Sequence, residues 1–230
     1  MSGTRQYYQQ GAANGLFAFF NNDKRLALLK PLLPNIHALQ QDLNRPLKIL
    51  DIGAGTGLHA AYLAKGGHQV TAVDPIDEML IEAQTNYKDL KMNFVVDSLP
   101  NLAKMGNEKF DVIYSIAAWQ YLAPADRQAA MERITQLLEP GGLFAIIWPS
   151  PMSRAFQYPL THEDLNKSMN IINKKRSPDH QIVLTQSEPM KDPDNRKGFL
   201  EKNQDVYFNT AQGQMPMPAL RNEFRKTAGK

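Results

Sequence analysis

The chain has 230 residues, 43% hydrophobic and 21% charged, which is enough apolar material for one packed domain and too much for a disordered chain. It contains no cysteine, so disulfides, thiolate metal sites and a cysteine nucleophile are excluded. The net charge of +3 is concentrated in residues 151–230 and reads as a solvated surface, so a nucleic-acid partner is not expected.

The opening residues Met1-Ser2-Gly3-Thr4-Arg5 hold no apolar run. No cleaved leader is expected, and a cytoplasmic location is the default. Residues 1–45 form a helical, aromatic-rich segment with Tyr7, Tyr8, Leu16, Phe17, Phe19 and Phe20, and the spacing predicts a helix over 23–33 ending at Pro34. Residues 48–52 then read as a buried strand running into a glycine-rich turn. Residues 58–65 read as a helix stopped by Gly66-Gly67, and 69–73 as a second, β-branched strand. Asp77 is placed to cap a helix reaching about residue 90, with a third strand over 93–96 and a fourth over 110–115. Met131, Ile134, Leu137 and Leu138 give residues 126–138 helical periodicity, and Pro140-Gly141-Gly142 breaks the chain before a fifth strand at 143–148. That last run is the most apolar in the chain and too short to span a bilayer, so no membrane partner is expected. Beyond it, a helix over 161–176, strands over 181–185 and 204–209, and a C-terminal frayed tail or docked helix are expected.

Strands alternating with helices across short connections imply a parallel sheet covered on both faces, doubly wound because the crossovers are right-handed. Ligands in such sheets sit outside the carboxyl ends of the strands. The polar motifs fall at those ends. Asp51-Ile52-Gly53-Ala54-Gly55-Thr56-Gly57 places three alternating glycines between a strand and a helix, where backbone can approach a ligand at a helix N-terminus. Asp74 closes the second strand and can accept hydrogen bonds from two ribose hydroxyls; its bland reading is a cap for the next helix, a task Asp77 is better placed to do. Asp97 ends the third strand, where a carboxylate can face an adenine amino group or simply form a turn before Ser98.

These blocks, with Val73-Asp74-Pro75-Ile76-Asp77-Glu78-Met79-Leu80, Phe110-Asp111-Val112-Ile113-Tyr114-Ser115 and Leu138-Glu139-Pro140-Gly141-Gly142-Leu143, resemble the class I S-adenosylmethionine-dependent methyltransferases over roughly residues 45–150, most closely their small-molecule (type 11-like) branch. The resemblance implies an α/β fold with a doubly wound, seven-stranded, mostly parallel sheet whose last strand is antiparallel. It also implies one structural domain: a helical cap over 1–45, a cofactor core over 46–150, and residues 151–230 completing the sheet and the acceptor pocket. It implies S-adenosylmethionine as cofactor. Gly53, Gly55 and Gly57 would face its methionine portion with Asp51 organising their loop, Asp74 would hold the ribose, Met79, Asp97, Ser98 and Leu99 would meet the adenine, and Ala54, Thr56 and Pro75 would also be cofactor-binding. Ser115, Ile116 and Ala117 would line the methionine side. Only about a dozen residues separate Asp97 from Phe110, so the family's intervening helix is expected to be short.

The activated sulfonium makes in-line alignment the main task, so a general base is needed only when the acceptor must lose a proton. Acceptor-side candidates are Tyr7, Tyr8, Trp119, Tyr121 and His162, with Trp148 and Arg154 beside them, and the aromatic N-terminal segment could either close over the pocket or pack on the sheet. Arg154 and Arg196 read first as surface charges, and His59 as a satisfied histidine. His162 and His180 are isolated, and no histidine pair has metal-ligand spacing, so no metal is expected. The fourth strand ends without the paired prolines of amino-methylating DNA enzymes, and cytosine C5 chemistry needs an absent cysteine. The expected function is methyl transfer to an O or N atom of a small molecule. The alternatives are an RNA or protein acceptor, a non-catalytic S-adenosylmethionine-binding module, and, disfavoured by the Gly-x-Gly-x-Gly spacing, a nicotinamide oxidoreductase.

Overall fold

The computed structural model describes residues 2–15, 23–148, 158, 162–174, 182–186, 188–189, 207–208 and 220–226. The chain divides into two compact units, Met1–Ser98 and Leu99–Lys230.

The first unit contains helices α1 (Ser2–Ala13), α2 (Asp23–Leu26), α3 (Leu33–Leu43), α4 (Leu58–Lys65) and α5 (Asp77–Asn86), and strands β1 (Lys48–Ile52), β2 (Gln69–Asp74) and β3 (Met92–Val96). The strands run parallel in the order β3-β2-β1, with Ile49 opposite Val70, Ile52 opposite Val73 and Asp74 opposite Val96. After an exposed first residue, β1 and β2 are buried throughout, as strands covered on both faces must be. Leu29, Leu32 and Ile36, fully buried, seat α3 and the turn before it. Pro34 does not end a helix, as the sequence suggested. It lies in the first turn of α3, where its missing amide costs nothing and its fixed φ suits the helix. Asn44 ends α3 in the left-handed conformation, its amide bonded to the Gln41 carbonyl.

The second unit contains β4 (Phe110–Ile116), α6 (Arg127–Leu137), β5 (Leu138–Trp148), α7 (His162–Lys174), β6 (Ile182–Gln186), β7 (Glu188–Pro189), β8 (Tyr207–Phe208) and β9 (Leu220–Lys226). Every residue of β4 is buried, and β4 runs parallel to β5, with Val112 opposite Leu143 and Ile116 opposite Ile147. The sequence predicted a break at Pro140-Gly141-Gly142. Instead β5 begins at Leu138 and carries these residues as a bulge, Phe110 pairing Leu138 and Val112 pairing Leu143. Gly141 supplies φ +77°, and a Cβ on Gly142 would stand 2.9 Å from the Asp111 carbonyl oxygen. A short helix was expected between Asp97 and Phe110; the structure has no α-helix there, only a 3-10 turn at Ala103–Met105. Residues 220–226, expected as part of a tail or helix, form a strand: β9 pairs antiparallel with β5, Phe144 opposite Phe224, and β6 pairs antiparallel with β9.

With three parallel strands in one unit, two in the other and helices connecting successive strands, the chain has an α/β, Rossmann-like fold. Among the described residues, no helix is long and apolar enough to cross a membrane, and no cluster of three or more His, Asp or Glu could hold a metal ion.

Candidate functional site

The glycine loop is pinned to the end of β2. The amides of Gly53 and Ala54 both donate to the Val73 carbonyl, at 2.8 and 2.9 Å, and the Gly57 amide donates to Ala54 at 3.0 Å. Gly53, Gly55 and Gly57 all take positive φ. Gly57 caps α4 in the left-handed conformation and is tight against α5, since a Cβ there would meet the Ala83 Cβ at 2.9 Å. A Cβ on Gly55 would stand 3.4 Å from the Met79 Cε. Asp51 at the end of β1 and Ala54 and Thr56 within the loop are buried.

Asp74 is built into this loop. The Gly55 amide donates to its Oδ2 and the Ile76 amide to its Oδ1, both at 2.9 Å, and the residue is only 7% exposed. Burial drives its carboxyl pKa up to about 6, against the opposing pull of the Ile76 and Gly55 amides. Asp77 is not the cap of α5 that the sequence suggested. Ile76 holds that position without a side-chain cap, and Asp77 lies inside the first turn, where its charge and that of Glu78 face the positive helix end. The capping amide work near this turn falls to Asp74 itself. The Asp97 amide donates to the Asp74 carbonyl at 3.2 Å, and the Asp97 Oδ1 accepts from the Ser98 amide at 2.8 Å, so the carboxyl ends of β2 and β3 sit side by side. Pro75 is exposed between Asp74 and Ile76.

Met79 and Ile76 form a small buried cluster against which Tyr8 and Ala12 of α1 pack. The Gln9 amide donates to Glu78 at 3.2 Å, and Tyr7, 56% exposed, meets Tyr8 edge-on at 5.3 Å. His59 is satisfied: its Nε2 lies 2.9 Å from the Arg25 carbonyl, which can only accept, so Nε2 carries the proton. Burial lowers its pKa to about 4, and the ring is neutral at pH 7.

In the second unit, Ser115 and Ile116 end β4 buried, and Leu99 is half-buried. Ala117 takes φ +56°, unusual without glycine, and its amide donates to the Ile147 carbonyl at 2.7 Å. A 3-10 turn, Trp119–Tyr121, follows. Trp119 is buried against Phe144, ring centroids 6.1 Å apart, while Tyr121 is half-buried. Sequence reasoning missed two residues here. Gln120 is buried, its Nε2 donating to the Ala117 carbonyl; an amide inside an otherwise aromatic and apolar run, Trp119 to Leu122, was the available signal. Arg127, buried in the first turn of α6, donates to Asp164 at 3.0 Å and to the Tyr158 carbonyl at 3.1 Å, and nothing in the sequence separates it from a surface arginine. His162 opens α7 and Trp148 ends β5, with their side chains outside the described residues, as are Phe17, Phe19, Phe20, Arg154, His180 and Arg196 altogether.

The first-unit geometry fits an adenosyl group with an amino-acid tail. Each Asp74 oxygen takes one backbone amide and keeps acceptor capacity for a ribose hydroxyl, and Gly55 puts no Cβ between the loop and a ligand. Residues 49–142 match the sequence profile of a methyltransferase domain. An uncharacterized methyltransferase of Mycobacterium tuberculosis is 34% identical over 99 residues, which cover 43% of this chain and 49% of that protein. The chain thus spans about half the length of the curated relatives it matches. Among solved structures, the magnesium protoporphyrin IX methyltransferase of Synechocystis, with bound S-adenosylmethionine, aligns with a TM-score of 0.66 at 14% identity, covering 98% of this chain and 96% of that one. The 1,6-didemethyltoxoflavin-N1-methyltransferase of Burkholderia thailandensis aligns with a TM-score of 0.62 at 20% identity, covering 97% and 87%. Residues 49–142 of this chain therefore match a methyltransferase domain, in a chain that has the fold of S-adenosylmethionine-dependent methyltransferases.

Proposed function

We propose that the protein transfers a methyl group from S-adenosylmethionine to an O or N atom of a small-molecule acceptor. The observation that carries the reading is the carboxylate of Asp74, buried and fixed by the amides of Gly55 and Ile76 within the glycine loop. Leaving a buried carboxylate there costs stability, and a bound ribose repays it by donating two hydroxyls. Asp97 and Met79 serve the adenine in this reading. Gly53, Gly55 and Gly57 admit the methionine portion, with Asp51 organising their loop. A single domain with a helical cap over 1–45, a core over 46–150 and an acceptor part over 151–230 belongs to the same reading. So does a seven-stranded sheet with an antiparallel last strand, which the pairing of β9 with β5 and β6 supports.

When bound, S-adenosylmethionine supplies a methyl group on a positively charged sulfur, a leaving group that needs no further activation. The chain's share is then orientation and exclusion of water, on the order of several kcal/mol of the barrier. A small-molecule acceptor is supported by two structural neighbours whose names specify magnesium protoporphyrin IX and 1,6-didemethyltoxoflavin. The test is binding of S-adenosylhomocysteine by calorimetry, followed by screening small molecules with a labelled methyl donor. Micromolar binding that Asp74→Ala weakens by roughly 1–3 kcal/mol supports the site; equal binding by wild type and variant removes it.

A further inference from the structure

Helix α1 has little to hold it as a helix by itself. It is 12 residues long, with no acidic residue in its first turn and no basic residue in its last. Gly3 and Gly11 lie inside it, and glycine is the poorest helix former after proline. Isolated helices shorter than about 12–15 residues are marginal in water even when rich in alanine, so α1 is helical to the extent that it is seated.

The seat is one face of the helix. Gly11 is buried and Tyr8, Gln9 and Ala12 are half-buried, while Gln6, Tyr7 and Gln10 are exposed. Positions 8, 11 and 12 share a side of an α-helix. Tyr8 and Ala12 pack on the pair Ile76 and Met79, and Gln9 Nε2 donates to Glu78 Oε1 at 3.2 Å. That pair also meets the cofactor loop. The Ile76 amide donates to Asp74 Oδ1 at 2.9 Å, and the Ile76 carbonyl accepts the Met79 amide at 3.2 Å. Met79 Cε is the atom that a Cβ on Gly55 would meet, at 3.4 Å. Ile76 and Met79 thus carry α1 and touch both the Asp74 carboxylate and the glycine loop.

We propose that Tyr8 is a positioning residue for the cofactor, and that α1 docks on α5 in step with cofactor binding. This deepens the methyltransferase reading and rests on it for the ligand, with the ribose at Asp74 and the adenine on Met79. A ligand held at Asp74 and packed on Met79 restricts the pair on which Tyr8 lies. Docked α1 and bound cofactor then stabilise each other, and the effect is reciprocal: the factor by which the ligand favours docked α1 is the factor by which docked α1 tightens the ligand. Tyr8 in this role serves the cofactor rather than the acceptor, and it acts through Ile76 and Met79 rather than on the reacting atoms.

Hydrogen exchange of the full chain, read by mass spectrometry over residues 2–15 with and without saturating S-adenosylhomocysteine, tests the linkage. The expected result is exchange in α1 slowed about fivefold or more by the ligand. Tyr8→Ala should lose that slowing, and should lose about fivefold or more in S-adenosylhomocysteine affinity by calorimetry. Tyr8→Phe keeps the ring on Ile76 and Met79 and should bind as wild type does. Gln10→Ala, on the exposed face of the same helix, should bind as wild type too. Ligand-induced slowing confined to β1, β2 and α5, with α1 unchanged, overturns the proposal. So does wild-type affinity in Tyr8→Ala, or a Tyr8→Phe variant as weak as Tyr8→Ala. The exchange measurement on wild type needs no variant to fold. Absence of S-adenosylhomocysteine binding by the wild type removes the methyltransferase reading and this inference with it, whereas binding without slowing in α1 removes this inference alone.

Discussion

Asp74 and His59 make opposite demands on pH. Asp74 is an acid whose folded pKa, about 6, lies above its ordinary 3.8, so the folded state holds a proton there that the unfolded chain releases first. Its contribution to stability is therefore lost as pH rises between about 4 and 6, by roughly 3 kcal/mol at 1.36 kcal/mol per unit. His59 is a base whose folded pKa, about 4, lies below its ordinary 6.5, so its contribution is present above 6.5 and lost as pH falls toward 4. The two slopes oppose one another, and the ligand-free protein should show a flat stability profile from pH 4 to 6. Replacing Asp74 by Asn should uncover the His59 slope: denaturant melts from pH 4 to 7 should show the variant gaining on wild type as pH rises, up to about 3 kcal/mol. Ligand binding runs the other way, because ribose hydroxyls need the ionised carboxylate. S-adenosylhomocysteine affinity should fall by up to tenfold per pH unit below pH 6 in wild type, which calorimetry at pH 5 and 7.5 would show, and not in Asp74→Asn.

At the scale of elements, two glycines decide whether helices and strands can meet. Gly57→Ala sets a new methyl 2.9 Å from the Ala83 Cβ at a φ of +77°, and should cost about 1–3 kcal/mol in thermal or denaturant unfolding. Gly142→Ala sets one 2.9 Å from two backbone carbonyls and should cost at least as much, because backbone cannot turn aside as a side chain can. Arg127→Met removes the buried half of a pair whose partner, Asp164, is 40% exposed, so the loss should stay near 1–2 kcal/mol, below that of a fully buried pair. These elements also show what the sequence could tell. Strands β1, β2 and β4 were legible because parallel strands covered on both faces read as short apolar runs. The bulge in β5 was not, since Pro140-Gly141-Gly142 signals a break whether the chain leaves the sheet or only bends within it. Strand β9 was hidden because Leu220-Arg221-Asn222-Glu223-Phe224-Arg225-Lys226 has too many charges to alternate, and its pairing with β5 is supplied by tertiary context. In the site, the glycines and Asp74 announced themselves by position. In the second unit the burial of Gln120 was not legible, because the Ala117 carbonyl that takes its amide is presented by the folded turn.

The chain shares its fold with methyltransferases at 14% and 20% identity whose named substrates differ, so the fold alone leaves the acceptor to be read from side chains. A small-molecule acceptor predicts turnover nearly indifferent to salt between 50 and about 200 mM, whereas a nucleic-acid acceptor predicts a loss of orders of magnitude over that range. The central claim is that the loop from Asp51 to Gly57, together with Asp74, holds S-adenosylmethionine, and calorimetric titration with S-adenosylhomocysteine at pH 7.5 tests it most directly. Micromolar, one-to-one binding in wild type, weakened by Asp74→Ala and abolished by Gly55→Val, is the result predicted. Binding that neither substitution changes, or no binding by the wild type, would contradict it.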